Sequence, residues 1–278
     1  MKGPILSLLV FYKEQQITKP VDFVMDFCDM WNTADYEPLK LYKGTAPIAF
    51  ITRELLQEIL TFSEKDKPGK LKSLMLKTSL KRSRVEVHFR FEHPDMKRIA
   101  DFNYLGWQKT ASSIGINIPF DNVKSNGNYT FDTLFQIFFW LLSYGTVENA
   151  SVALVSDIEF TTNVHEKIFA VISENKGVIR KRRLDWATFF TAYEYQNILQ
   201  GFINTNRSLE TFCEQNGLEI LMTDEFDGAI LKVKEPMDNT PDYFYAMLRR
   251  TQEFYSILDA NGYCVFKNNS PAANGNGI

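Results

Sequence analysis

Apolar and polar positions repeat at two different periods along the chain, and the period predicts whether a segment is a strand or a helix. Residues 4–13 form an almost unbroken apolar run that predicts an opening β-strand. In 84–91 apolar and polar residues alternate strictly, which is typical of a strand with one solvent-facing side. The segments 113–120 and 150–155 predict further strands, and 185–193 is also expected to be extended.

Helices are predicted where apolar residues recur every three or four positions behind a capping residue. Thr52, Thr130 and Thr240 each stand at such a boundary, and a Thr hydroxyl there can accept a bond from a free backbone N–H. The helix behind Thr130 is apolar nearly all round, so we expect it to be buried. The predicted helices cover residues 20–31, 53–63, 131–143, 163–173, 208–216 and 241–260, and 38–47 is expected to be a loop.

Two short apolar segments near the end of the chain, 218–222 and 228–233, enclose a polar turn and predict a β-hairpin. The order of strands and helices has no repeated strand–helix–strand rhythm. We therefore predict an α+β fold with mixed or antiparallel sheets and packed helices. The pattern allows two similar α+β halves, 1–128 and 129–267, packed on each other, with 268–278 as a disordered tail.

Composition predicts a globular protein with ample material for a core, since 45% of the residues are hydrophobic, 14% are aromatic and 23% are charged. The three cysteines are far apart and form no CxxC pair, so neither a disulfide scaffold nor a cysteine zinc site is expected, and the cytoplasm is the expected compartment. The most apolar stretch, 134–142, is too short to span a bilayer, so no membrane segment is expected.

Motifs for common catalytic chemistry are absent: there is no Gly-rich phosphate loop, no GxSxG elbow and no HExxH helix. We therefore expect no cofactor, no bound metal and no enzymatic activity. One alternative remains, in which Asp157, Glu174 and Lys176 hold a divalent metal in a metal-dependent hydrolase or nuclease. Lys176 and Gly177 follow a helical stretch, however, which is typical of an ordinary helix end. A second alternative is a binding module for a small ligand between the two halves.

Charge is unevenly distributed, although the formal total is only −3 and argues against direct binding of nucleic acid. Residues 185–242 contain 11 acidic and 3 basic side chains, a net charge of −8, with aromatic residues among them, whereas 64–90 carries +6. An acidic field with aromatic anchors suits docking onto a basic protein surface. The alternative is that the two segments neutralise each other within the fold.

Three stretches resemble a known family: residues 3–11, the Trp-led segment 186–190, and 228–233 followed by a Pro-capped terminal helix. In this order they resemble the immunity protein 52 group of bacterial polymorphic-toxin immunity proteins, with Asp185 where that family has Gly. The resemblance implies a non-enzymatic protein made beside a toxin of a type VI or contact-dependent secretion system. It also implies that the toxin is a nuclease of the restriction-endonuclease fold, whose DNA cleft is basic.

The predicted partner-binding site is the hairpin turn, because it concentrates carboxylates beside an apolar side chain. Asp224, Glu225 and Asp227 would face the cognate toxin, and Phe226 at the turn tip would be the anchor. The alternative orientation for Phe226 is folded back onto the hairpin. The sequence leaves monomer and homodimer open. The charged rim of the predicted site is completed by Glu219, Glu235 and Asp238.

Overall fold

The computed structural model describes ten strands and seven helices within the residues given at the end of this paragraph. The strands are β1 Ile5–Tyr12, β2 Lys40–Lys43, β3 Ala46–Ile48, β4 Lys72–Lys77, β5 Glu86–Phe91, β6 Ser113–Pro119, β7 Val147–Val155, β8 Ala187–Thr191, β9 Leu218–Leu221 and β10 Gly228–Val233. The helices are α1 Pro20–Thr33, α2 Arg53–Leu60, α3 Phe120–Lys124, α4 Phe131–Ser143, α5 Ala192–Asn204, α6 Leu209–Gln215 and α7 Pro241–Asp259. The described residues are 3–13, 16–34, 36–43, 46–48, 51–67, 71–78, 84–95, 112–124, 129–156 and 183–260.

All ten strands of the described residues belong to one sheet, in the order β3-β2-β4-β5-β6-β1-β7-β8-β10-β9. Every pairing in it is antiparallel. The predicted α+β class is therefore confirmed. β1 pairs with both β6 and β7, so the sheet continues across the proposed division at residue 129. That division into two halves stays a prediction.

Side chains of β8 pack towards helices on both faces of the sheet, because neighbouring residues of a strand point to opposite sides. Phe189 of β8 contacts Phe226, which in turn contacts Phe139 of α4. Phe190, the next residue, contacts Phe254 of α7 with ring centroids 6.0 Å apart. β8 is thus packed on both faces. This explains why its run Ala187-Thr188-Phe189-Phe190 is buried throughout rather than at alternate positions.

Predicted helix starts are confirmed where a hydroxyl side chain accepts a backbone N–H. The Thr52, Thr130, Ser208 and Thr240 hydroxyls each accept from the residue three positions ahead. Such a bond stabilises a helix by about 1 kcal/mol. The capping pattern in the sequence therefore located the boundaries at Thr52, Thr130 and Thr240 correctly, whereas Ser208, predicted as the first residue of its helix, is the cap.

Two predictions of secondary structure are wrong, and one strand was not predicted. The predicted loop 38–47 contains β2 and most of β3, and the basic segment before residue 78 contains β4, in which only Leu74 and Leu76 are buried. Residues 192–193, expected to extend a strand, begin the 13-residue helix α5. Short strands with few apolar residues depend on their neighbours in the sheet, so the local pattern does not identify them. The predicted helix 163–173 and the predicted disordered tail 268–278 lie outside the described residues.

Gly228 is required at the start of β10 because the backbone there passes close to β8. A Cβ at this position would lie 2.6 Å from Cε2 of Phe189 and closer still to the Phe190 carbonyl oxygen, well inside van der Waals contact. We expect Gly228→Ala to lower the free energy of unfolding by about 1–3 kcal/mol, measured by urea denaturation.

Gly115→Ala in β6 is the matched control for this change. A Cβ at Gly115 would meet only Cδ1 of Leu9 at 3.5 Å, which is an ordinary contact. The control is therefore expected to be neutral or slightly stabilising. Equal losses in the two variants would contradict the steric explanation for Gly228.

Candidate functional site

The candidate site is the turn between β9 and β10 together with the first turn of α5. β10 lies between β8 and β9, which places the turn near the end of the sheet. The backbone N–H of Ala192 donates to the carbonyl oxygen of Asp227 at 3.3 Å. This bond ties the beginning of α5 to the end of the turn.

The first turn of α5 is held by a capping box. The Thr191 hydroxyl accepts the backbone N–H of Glu194, and the Glu194 carboxylate accepts the backbone N–H of Thr191 at 3.1 Å. The backbone N–H groups of Thr191 and Glu194 each bond to the other residue's side chain, so this end of α5 is well defined. Glu194, one of the acidic residues of 185–242, is buried and serves the helix rather than a surface.

A groove of about 470 Å³ lies between these two elements. Its walls are Ala192, Tyr195 and Gln196 of α5 on one side and residues 222–228 on the other. Burial raises the pKa of Tyr195, and the nearby Glu210 adds to the increase, so its phenol is neutral at physiological pH. One wall of the groove therefore contains the neutral Tyr195 and the amide of Gln196, and the other contains the carboxylates of the turn.

Three of the 11 acidic residues of 185–242 have basic partners within the fold. Asp185 forms an ion pair with Arg183, Glu219 with Lys232, and Glu235 with Arg250 at 3.8 Å. The Lys232 ammonium also lies 5.2 Å from the ring centroid of Trp186. Two predicted rim residues, Glu219 and Glu235, thus have basic partners within the chain, and Asp238 is half-buried with a contact of its own.

Asp224, Glu225 and Asp227 form a separate cluster, which is exposed around the groove. Within the described part of the chain none of the three forms an ion pair, so their charges are not neutralised locally. Three uncompensated carboxylates on one turn attract cationic groups. The three residues at the centre of the predicted site thus lie together at the groove, whereas the predicted rim residues are not among those that line it.

Phe226 is turned into the protein rather than towards solvent, with only 9% of its surface exposed. Its ring contacts Phe139 of α4 at 5.3 Å and Phe189 of β8 at 5.8 Å, both edge-to-face. This is the alternative orientation that the sequence left open, and it arises because an apolar ring at a turn gains more from burial than from exposure. The ring holds the turn against α4 and leaves the carboxylates on either side of it facing outward.

Two exposed hydrophobic side chains at this site were not among the predicted site residues. Met222, directly after β9, lines the groove with 61% of its surface exposed. Tyr193, in the first turn of α5, is 57% exposed. The motif Thr191-x-x-Glu194 is a capping-box signal that would have indicated α5, and with it the outward position of Tyr193.

No group of three or more His, Cys, Asp or Glu residues is placed to hold a metal ion in the part of the chain that the structure describes. Asp157, Glu174 and Lys176 lie outside it, so the hydrolase alternative is not tested. The groove belongs wholly to residues 192–228 and is not the predicted ligand site between two halves. Among the described helices, none has the length and apolar character needed to cross a membrane.

Comparison with known proteins found no matching family model and no matching curated protein. A solved structure of a type VI secretion system protein of Pseudomonas aeruginosa is similar in part, with a TM-score of 0.48 and 10% sequence identity. The similarity covers 90% of this chain and 73% of that one. The resemblance to the immunity protein 52 group rests on the three sequence stretches, which the structure assigns to β1, to β8 with the residue before it, and to β10 followed by α7.

Proposed function

We propose that this protein is a non-enzymatic, cytoplasmic immunity protein that binds a cognate secreted nuclease toxin and covers its basic DNA-binding or active-site surface. The observation that carries the proposal is the turn at 224–227. Its three carboxylates are exposed, flank a groove and have no ion-pair partner within the described residues. A partner would supply the missing cations.

The exposed carboxylates of the turn can attract a basic partner from solution, which carboxylates paired inside the protein cannot do. The ion pairs of Asp185 and Glu219 are partly buried and keep their charges within the protein, so they add little to its outward field, whereas the Glu235 side chain is exposed beside Arg250. The charges of Asp224, Glu225 and Asp227 extend into solvent, where they speed the encounter with a basic surface and disfavour acidic partners. DNA, a polyanion, is repelled by the same charges.

The choice of a nuclease toxin comes from the resemblance to the immunity protein 52 group, which also suggests the type VI secretion setting. A nuclease has a cleft that is basic because it must bind DNA, and an acidic turn is complementary to it. A complex burying about 1,600 Å² in total would be of ordinary size, and the turn with its groove would form one part of that area.

The experiment is co-expression of this protein with the product of the adjacent open reading frame, followed by size-exclusion chromatography and a plasmid-cleavage assay. The expected result is a stable complex in which the nuclease is silent. Glu174→Ala in the same assay is expected to leave inhibition unchanged, since the proposal gives Glu174 no catalytic part. A protein that forms no complex, retains a divalent metal and loses an activity of its own through Glu174→Ala would overturn the proposal.

A further inference from the structure

The outer face of α5 is uncharged, which is unusual for an exposed helix in a chain with 23% charged residues. Glu194 is the one charged residue among the 13 of this helix, and it is buried in the capping box. The exposed positions are Tyr193, Gln196, Gln200, Ile203 and Asn204. At 100° per residue these positions share one side of the helix, opposite the buried residues.

Exposed hydrophobic surface is concentrated on and beside this face. Five large hydrophobic side chains are exposed among the described residues, and three of them are Tyr193, Ile203 and Met222. Ile203, at the far end of α5, is 62% exposed. Tyr193 and Ile203 lie ten residues apart, which is about 15 Å along a helix.

The α5 face and the acidic groove are continuous. Gln196 belongs to both, since it is exposed on α5 and lines the groove opposite residues 222–228. The amide of Gln200 donates to Asn204 Oδ1 at 2.8 Å, and that of Asn197 to the Tyr193 carbonyl oxygen at 2.9 Å. These amides are therefore partly satisfied by the helix itself, which lowers the cost of removing them from water.

We propose that the outer face of α5, with Met222, is the desolvated centre of the partner interface, and that Asp224, Glu225 and Asp227 form its charged edge. Interface centres are depleted of charge and enriched in Tyr and Met, whereas their edges are polar. Because this edge is acidic, the binding partner is expected to be a protein with a basic surface around an apolar patch. This inference rests on the proposed function and deepens it, because it replaces Phe226 by Tyr193 and Met222 as the anchors.

Surface plasmon resonance with the purified product of the adjacent open reading frame tests the assignment through Tyr193→Ala, Met222→Ala and Ile203→Ala. We expect Tyr193→Ala to weaken binding by about 30-fold or more, mainly through faster dissociation, as hot-spot residues do. The salt dependence of association should stay that of the wild type, since no charge is removed. Amide hydrogen exchange across 192–204 should slow on complex formation.

Tyr245→Ala and Met75→Ala are the matched controls, because both side chains are exposed, at 46% and 37%, on α7 and β4. They should change affinity by no more than about twofold, as peripheral positions do. If the wild-type complex forms and all the α5 and Met222 variants bind with wild-type affinity, this inference is overturned. The proposed function would then still stand. Failure of the wild-type protein to form any complex would overturn both.

A second copy of this chain is the competing occupant, and light scattering on the isolated protein distinguishes it. Under our assignment the α5 face is free before the partner binds, so Tyr193→Ala leaves the oligomeric state of the isolated protein unchanged. A wild-type dimer that Tyr193→Ala converts to a monomer would overturn the assignment to a basic partner.

Discussion

Reversal of Asp224, Glu225 and Asp227 to lysine is expected to weaken binding to the adjacent gene product by about 100-fold or more, because like charges opposed across an interface cost several kcal/mol. The loss should appear mainly in the association rate and should shrink as salt is added, since salt screens charges that lie in solvent. All three side chains are exposed and unpaired within the described residues, so the variant should fold normally.

A second triple variant, Asp29, Glu58 and Glu64 to lysine, provides the control. These acidic residues are also exposed but lie in or near α1 and α2, and their reversal changes the net charge by the same amount. Binding should be nearly unaffected. Equal loss of affinity in both variants would attribute the effect to total charge rather than to the turn, and would remove the turn from the proposed interface.

Phe226→Ala is expected to lower the free energy of unfolding by about 3 kcal/mol, the lower part of the range for a buried Phe, because the ring lies at the edge of the core. The cavity would open between Phe139 and Phe189, the two rings that Phe226 contacts. Phe226→Leu should cost less, since it keeps most of the apolar volume. Urea denaturation of the two variants measures both values.

The same pair of variants separates the two orientations of Phe226. A buried ring predicts lower stability for Phe226→Ala and near-normal affinity at temperatures where the variant is folded. An exposed anchor predicts unchanged stability and a large loss of affinity. The second pattern would contradict the packing of Phe226 against α4.

Local sequence signals predicted a large part of the fold. The helix starts at Thr52, Thr130 and Thr240, the hairpin around 223–227 and the alternating strand β5 were all correct, because each depends on chemistry within a few residues. Capping hydroxyls, turn residues and a two-residue period act locally and need no distant partner. The same reasoning identified the acidic turn as the centre of the candidate site.

Only the tertiary structure decided which charges are neutralised. In the sequence Glu219, Glu235 and Asp224 are equivalent acidic residues of one segment. In the fold Glu219 faces Lys232 across the β9–β10 pair and Glu235 lies near Arg250 of α7, while the described residues give Asp224 no such partner. Ion pairs between strands and helices depend on register and packing, which a count of charges along the chain does not contain.

The direction of Phe226 and the outward face of α5 were decided in the same way. A turn-tip phenylalanine is apolar whether it faces a partner or the core, and here α4 and β8 supply the rings that bury it. Tyr193 is exposed because the chain leaves β8 for α5 at Thr191, not two residues later. The sequence by itself determined the acidic turn and its hairpin. The packing of distant elements decided which side chains that turn and α5 present to a partner, because burial is a property of all the elements that meet at one place.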